Sequence, residues 1–195
     1  MQVTEKIAAF RARMKDENFA AVIVPTADSH ASEYIADHFK TRQWLSGFTG
    51  SVGTYVITEN ASGLWVDGRY YVQAEKQIAD SEAVLFRASE PDCPTFSQYL
   101  LDNLAPNSVV GLNGKLFSLS MMEQMQQLFA QKGITLNIQA DYGNAFTVFS
   151  SPIDFSIRVA EHPIGAASIF AYEPNNPAAK AYSAVAQEVL SYGQK

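Results

Sequence analysis

The stretch that decides the fold reads R-Q-W-L-S-G-F-T-G-S-V-G at residues 42–53 and T-Y-V-I-T-E-N-A-S-G-L-W-V at residues 54–66. Two apolar, β-branched runs, residues 53–58 and 64–66, flank a polar turn, and this pattern predicts an antiparallel hairpin. Glycine recurs at every third position before the hairpin. Glycine is typical of corners that need positive φ or a close approach of other groups. We therefore predict a β-hairpin that is entered through a tight loop.

Strands and helices alternate on both sides of this hairpin. A first helix has Ile7, Phe10 and Met14 on one face, and the apolar run at residues 20–25 predicts a buried strand. The segments predicted beyond the hairpin are strands at residues 84–87, 109–112 and 134–138, and helices at residues 69–79, at residues 96–104 and after a capping box at residues 120–123. Such alternation is typical of an α/β layer fold with a mixed sheet flanked by helices.

Composition narrows the class of protein. The chain has 195 residues and a formal net charge of −6, which argues against a broad basic face for nucleic acid. No apolar run reaches the roughly 18 residues that a membrane span needs, and the first residues do not resemble a secretory signal. Cys93 is the single cysteine, so no disulfide forms within the chain. These features predict a cytoplasmic protein.

The composition changes after about Tyr142. Residues 1–142 carry a complete set of alternating strands and helices, whereas residues 143–195 contain repeated prolines and small residues. We predict one domain at residues 1–142, followed by a linker and the start of a second domain at residues 143–195.

Three segments together carry a family resemblance. They read D-S-H-A-S-E-Y at residues 28–34, R-Q-W-L-S-G-F-T-G-S-V-G at residues 42–53 and W-V-D-G-R-Y-Y-V-Q-A at residues 65–74. In this order and spacing they resemble the N-terminal domain of Xaa-Pro aminopeptidases, the aminopeptidase P branch of the creatinase/prolidase metallopeptidases (family M24), and its three-domain form most closely. Val52 stands where alanine is usual. The resemblance implies a mixed sheet of ribonuclease H-like topology, and it weakens beyond residue 142.

The same resemblance implies a hydrolase that removes a peptide's first residue when proline follows. In that family two divalent ions, commonly manganese, generate a hydroxide, and their ligands lie in a C-terminal domain that this chain does not include. We therefore predict no catalytic residue, metal ligand or cofactor within the chain. The implied partners are the protein's own catalytic domain, proline-containing peptides and further copies in a homo-oligomer. A catalytically inactive protein-binding module of the same fold, like one subunit of a histone chaperone, is the alternative.

Five residues are candidates for a wall of the substrate cleft: Arg42, Trp44, Phe48, Arg69 and Tyr70. A guanidinium can bind a carboxylate through two parallel bonds, and an indole offers a flat surface to a proline ring. We expect the first three on a loop. The alternative for Trp44 is core packing, and the alternative for Arg69 is a local ion pair with Asp67 beside a packed Tyr70.

Other chemistries have weaker signals. His30 and Glu33 lie one helical turn apart, which is too few ligands for a metal site, so a local hydrogen bond that fixes the turn at residues 29–35 is the simpler interpretation. The glycines at residues 47–53 lack the spacing and lysine of a phosphate loop. Cys93 has no nearby cation in sequence, which predicts an unreactive thiol.

Overall fold

The structure is a computed structural model that describes residues 2–32 and 34–140, and residues 180, 183, 184 and 187. The chain divides into two units, Met1–Phe146 and Thr147–Lys195. All but the last four described residues belong to the first unit. The predicted boundary at residue 142 and nearly all of the predicted second segment lie outside the described residues.

Helices and strands alternate through the described part of the first unit. The helices are α1 (Val3–Asp16), α2 (Thr41–Ser46), α3 (Tyr71–Gln77), α4 (Phe96–Asn103) and α5 (Leu119–Ala130), and the strands are β1 (Ala21–Pro25), β2 (Thr54–Thr58), β3 (Ser62–Val66), β4 (Val84–Arg87), β5 (Val109–Leu112) and β6 (Thr135–Asn137). The predicted hairpin is confirmed as β2–β3, with Tyr55 opposite Leu64. Each other predicted strand is also present.

The six strands form one mixed sheet in the order β4-β3-β2-β1-β5-β6. β2 is antiparallel to both of its neighbours, whereas the pairs β3–β4, β1–β5 and β5–β6 are parallel. Five strands therefore run in one direction, and their carboxyl ends meet at one edge of the sheet. The predicted α/β class with a mixed sheet is confirmed.

Both faces of the central strands are buried. In β1, Val22 and Val24 contact the cluster that contains the apolar face of α1, while Ala21 and Ile23 contact the cluster beneath α4 and α5. Successive side chains of a strand point to opposite faces. A strand covered on both faces needs apolar side chains at every position, which explains the continuous apolar run at residues 20–25.

The start of α5 differs from its prediction. Ser118, not Ser120, is the N-cap, and its hydroxyl accepts a hydrogen bond from the Met121 amide at 3.3 Å. The predicted capping box at residues 120–123 is therefore wrong, because Ser120 already lies within the first helical turn. At the other end, Gly133 follows the helix with φ +67°, as expected of a residue that stops a helix.

Tyr55 carries a buried hydroxyl that makes no hydrogen bond of normal geometry to a described residue, although the Ser62 side chain lies near enough to oppose in part the effect of burial on its pKa. Burial raises the pKa of Tyr55 to about 12, from an ordinary value of 10.0. Because a buried unpaired hydroxyl is destabilising, we expect Tyr55→Phe to raise the free energy of unfolding by about 1–3 kcal/mol. Urea denaturation at pH 7 measures this change, and a decrease of similar size would contradict the assignment.

The same side chain predicts a pH dependence above pH 10. Between pH 10 and 12 the unfolded chain releases the Tyr55 proton while the folded chain retains it, so stability falls as the pH rises. Tyr55→Phe removes this contribution. We therefore expect the stability difference between the variant and the parent chain to widen from pH 9 to pH 11, and equal differences at both pH values would exclude the effect.

Candidate functional site

The three segments that carry the resemblance meet at the edge where five strands end. β1 leads into the Asp28 turn, the Gly50–Gly53 loop leads into β2, and β3 leads into Asp67. In open α/β sheets, ligand sites form at the carboxyl ends of strands. We call this surface the strand-end edge.

Arg42 organises the loop at this edge. Its Nε donates to Thr26 Oγ1 at 2.8 Å, and its two terminal nitrogens donate to the carbonyl oxygens of Phe48 and Gly50. Thr26 in turn donates through its backbone amide to the carbonyl oxygen of Gly53 at 2.9 Å. A single guanidinium thus ties the end of β1 to the loop that enters β2.

The charge of Arg42 has no carboxylate partner among the described residues. Its side chain lies over the Phe48 ring, with 4.8 Å from the guanidinium carbon to the ring centroid. Only 3% of the residue is exposed. Burial lowers the pKa of Arg42 to about 10, so the guanidinium stays charged at neutral pH.

The remaining loop geometry depends on Ser46 and Gly50. Ser46 Oγ donates to the Arg42 carbonyl at 2.8 Å and accepts from the Phe48 amide at 3.1 Å. A Cβ on Gly50 would overlap the Phe48 ring and lie 2.8 Å from Tyr70 Cδ1. Glycine is therefore required at this position by the close approach of two aromatic rings.

These contacts revise two predictions. Arg42 and Trp44 lie on the short helix α2 rather than on the expected loop. The helix ends only after both residues, at Gly47, which has φ +74°. Phe48 is fully buried in the core. Its side chain therefore supports the loop from inside the domain.

Asp28 fixes the turn that follows β1. Its Oδ1 accepts hydrogen bonds from the backbone amides of His30 and Ser32, both at 2.9 Å. The Ser32 bond contributes most to lowering the pKa of Asp28 below its ordinary value. The predicted His30–Glu33 hydrogen bond involves Glu33, which lies outside the described residues.

Arg69 stands at the surface of the same edge. Asp67 accepts from Arg69 Nε at 3.0 Å and from Nη2 at 2.8 Å, which confirms the local ion pair. The Arg69 side chain is 69% exposed and lies 5.4 Å from the Tyr70 ring centroid. Tyr70 packs edge-on against Phe48, and its hydroxyl lies 2.7 Å from Ser51 Oγ. The ion pair of Arg69 with Asp67 therefore forms a charged surface beside the glycine loop, next to the packed Tyr70 ring.

Trp44 packs against the core and also lines a pocket, and its part in a substrate cleft stays a prediction. It packs partly against the core cluster, and its carbonyl oxygen accepts from Lys6 Nζ at 3.2 Å, with the ammonium 5.2 Å from the indole centroid. It also lines an open pocket of about 400 Å³. The indole therefore packs against the core and the Lys6 ammonium, and it also lines a cavity.

Two further pockets flank the glycine loop. The first, of about 340 Å³, is lined by Arg42 together with residues that the sequence did not single out, notably Lys40, Gln43, Thr49 and Ser51. We call it the Lys40–Arg42 pocket. The second, of about 370 Å³, contains Val52, Trp65, Asp67 and Phe96. Gln43, Thr49 and Ser51 lie within the segment at residues 42–53, and that segment was the sequence signal for the first pocket.

Within the part of the chain that the structure describes, no three His, Cys, Asp or Glu side chains are grouped so that they could hold a metal ion. No helix there is long and apolar enough to cross a membrane. Burial raises the pKa of the Cys93 thiol, which agrees with an unreactive cysteine.

Known proteins are similar to this chain in sequence. The chain is 42% identical over 132 residues to aminopeptidase P2 of Arabidopsis thaliana, covering 67% of the chain and 18% of that protein. It is 34% identical over 161 residues to Xaa-Pro aminopeptidase 1 of Dictyostelium discoideum, covering 83% of the chain and 26% of that protein. The chain therefore spans about a fifth to a quarter of these relatives.

A solved structure agrees with both. The X-prolyl aminopeptidase of Caenorhabditis elegans, described as a cytosolic enzyme with a di-nuclear active site, superposes with a TM-score of 0.70 at 27% identity, over 79% of this chain and 27% of that one. The family model for the creatinase/prolidase N-terminal domain matches residues 6–139, which include the whole sheet and the strand-end edge. The chain thus belongs to the creatinase/prolidase N-terminal domain family.

Proposed function

We propose that this chain is the N-terminal domain of an Xaa-Pro aminopeptidase, a hydrolase that removes a peptide's first residue when proline follows. The observation that carries the proposal is the meeting of all three resembling segments at one edge of the sheet. The named relatives from Arabidopsis thaliana, Dictyostelium discoideum and Caenorhabditis elegans support it. The chain contributes residues 1–142 as a folded domain, and residues 143–195 lead toward the next one.

In this proposal the domain is non-catalytic. A second domain holds two divalent ions, manganese by preference, and performs the hydrolysis. The C. elegans enzyme has a di-nuclear active site, which supports a pair of metals in the whole protein. The whole protein is cytoplasmic and homo-oligomeric in this proposal, and light scattering by the intact gene product tests its assembly.

The strand-end edge is the surface that we propose to face the catalytic domain and the peptide. Arg69, Tyr70 and Trp44 contribute the wall of the cleft, while Arg42 and Phe48 hold the loop in place. β6 also ends at this edge, so the chain leaves the sheet on the same side.

The decisive experiment compares the intact gene product with purified residues 1–195. We expect the intact protein with Mn²⁺ to release the first residue from Xaa-Pro peptides, and residues 1–195 to release none under the same conditions. Turnover by residues 1–195 would contradict the non-catalytic role. Histone binding by the intact protein without any peptide hydrolysis would favour the binding-module alternative instead.

Arg69 provides a sharper test of the cleft wall. In the intact protein we expect Arg69→Ala to lower kcat/KM for Xaa-Pro peptides by about ten-fold or more, because a charge-assisted contact to the substrate is lost. The thermal midpoint is expected to stay nearly unchanged, since the Asp67 ion pair is exposed. Arg13→Ala is the matched control. It also removes an arginine that forms an ion pair, but this arginine lies on α1. Equal kinetics for both variants would remove Arg69 from the cleft.

A further inference from the structure

The Lys40–Arg42 pocket has an unusual charge distribution. Of the described residues that line it, Lys40 and Arg42 are the charged ones, and both are cations. Lys40 forms an ion pair with Asp37 at 2.5 Å. The Asp37 side chain is 87% exposed, so solvent and salt screen this ion pair and make it weak. Asp28, a second carboxylate near this part of the chain, is engaged with the two backbone amides of its own turn. The described lining of the pocket therefore carries two cations and no carboxylate.

The cation at the base of the pocket is preorganised. Arg42 is almost fully buried, and three neutral acceptors hold its guanidinium in one orientation. A buried charge is costly unless an opposite charge compensates it. Three neutral hydrogen bonds give each guanidinium nitrogen one acceptor, but they do not neutralise the charge. An anionic ligand would supply the negative charge that the described neighbours of Arg42 do not.

The remaining walls suit the end of a peptide. Hydroxyl and amide groups from Thr26, Gln43, Thr49 and Ser51 line one part of the pocket, and apolar groups of Ile35 and Phe39 line another. Its volume of about 340 Å³ lies within the range of small-ligand sites, though near the lower end. Such a pocket can hold a terminal carboxylate together with one or two small side chains.

We propose that the Lys40–Arg42 pocket binds the C-terminal carboxylate of a short peptide, and so favours substrates with a free carboxyl end. This inference rests on the proposed function, because it names the substrate class of the same edge. The pocket only binds the peptide: Arg42 and Lys40 attract the carboxylate, and the polar wall orients it. No bond in the peptide is broken by this domain.

The test measures binding by residues 1–195 directly, using NMR titration with Ala-Pro-Ala and with its C-terminal amide. We expect Ala-Pro-Ala to bind at least ten-fold more tightly than the amide, with the largest shifts at the amides of Thr49, Gly50 and Ser51. Equal affinities, or no binding of either peptide, would overturn the proposal. Tight binding of Ala-Pro-Glu amide would also overturn it, because a side-chain carboxylate would then suffice.

Two substitutions at the pocket avoid disturbing buried Arg42. Gln43→Glu adds a negative charge to the lining, and we expect it to weaken Ala-Pro-Ala binding by ten-fold or more. Lys40→Gln removes one cation, and we expect a loss of about three- to ten-fold. The matched controls are Gln126→Glu on α5 and Lys76→Gln on α3, both exposed and outside the pocket. If the pocket variants and the control variants weaken binding equally, the change in the net charge of the protein explains the effect, and the pocket does not.

The outcome can be separated from the proposed function. If the intact protein cleaves Ala-Pro-Ala and its amide with equal kcat/KM and residues 1–195 bind neither, the aminopeptidase assignment stands and the carboxylate pocket falls. If residues 1–195 prefer the free carboxylate while the intact protein hydrolyses no Xaa-Pro peptide, the pocket stands and the assignment falls.

Discussion

Replacing Arg42 with alanine is expected to lower the free energy of unfolding by roughly 3–5 kcal/mol. The substitution leaves the buried carbonyl oxygens of Phe48 and Gly50 without their donors, and it removes the link to Thr26. These losses outweigh the relief of a desolvated charge, because each buried unpaired carbonyl costs about 1–3 kcal/mol. Urea denaturation of residues 1–195, followed by circular dichroism, measures the change.

Arg69→Ala is the control for this prediction. It removes an arginine from the same edge, but one whose side chain is exposed and forms an ion pair with Asp67. We expect its unfolding midpoint to match that of the parent chain. If Arg42→Ala and Arg69→Ala have similar stability, Arg42 is not the organiser of the loop.

Gly50→Ala is the second substitution for which we expect a large effect. A Cβ at this position would overlap the Phe48 ring and approach Tyr70 Cδ1 to 2.8 Å. Both rings pack within or against the core, so they have little freedom to move aside. We expect a loss of about 1–3 kcal/mol or more in the free energy of unfolding. The same denaturation experiment measures it.

Gly68→Ala is the matched control, because it adds the same methyl group to a glycine at the same edge. There the nearest atom to the new Cβ is Tyr71 Cε2 at 3.9 Å, an ordinary contact distance. We expect the stability to stay equal or to rise by about 0.4–1 kcal/mol, through a smaller entropy of the unfolded chain. A comparable loss at both positions would show that crowding at Gly50 is not the cause.

The order of strands and helices was predictable from local patterns. The apolar run at residues 20–25, the hairpin and the periodicity of Ile7, Phe10 and Met14 each depend on side-chain spacing within a few residues. Such spacing survives in any tertiary context that covers the apolar faces. The strand order and the pairing of β2 with β1 were not accessible in this way, because they depend on contacts between distant segments.

The start of α5 and the helix α2 show where local patterns failed. The capping box predicted from sequence placed the N-cap at Ser120, whereas the observed hydrogen bond from the Met121 amide makes Ser118 the N-cap. α2 is six residues long, too short to show a helical period clearly. Its position depends on Arg42, whose acceptors lie up to sixteen residues away in sequence.

Local patterns in the sequence were sufficient to predict the α/β class, the hairpin and, through three motifs, the family of the domain. The surroundings of the motif residues became known only from the folded chain. The tertiary structure buried Arg42 and Phe48 beneath the loop, left Arg69 at the surface, and brought Lys40 and Gln43 into one pocket with Arg42. The physical reason is that burial and charge compensation depend on which distant groups surround a side chain, and residue identity alone does not specify those groups.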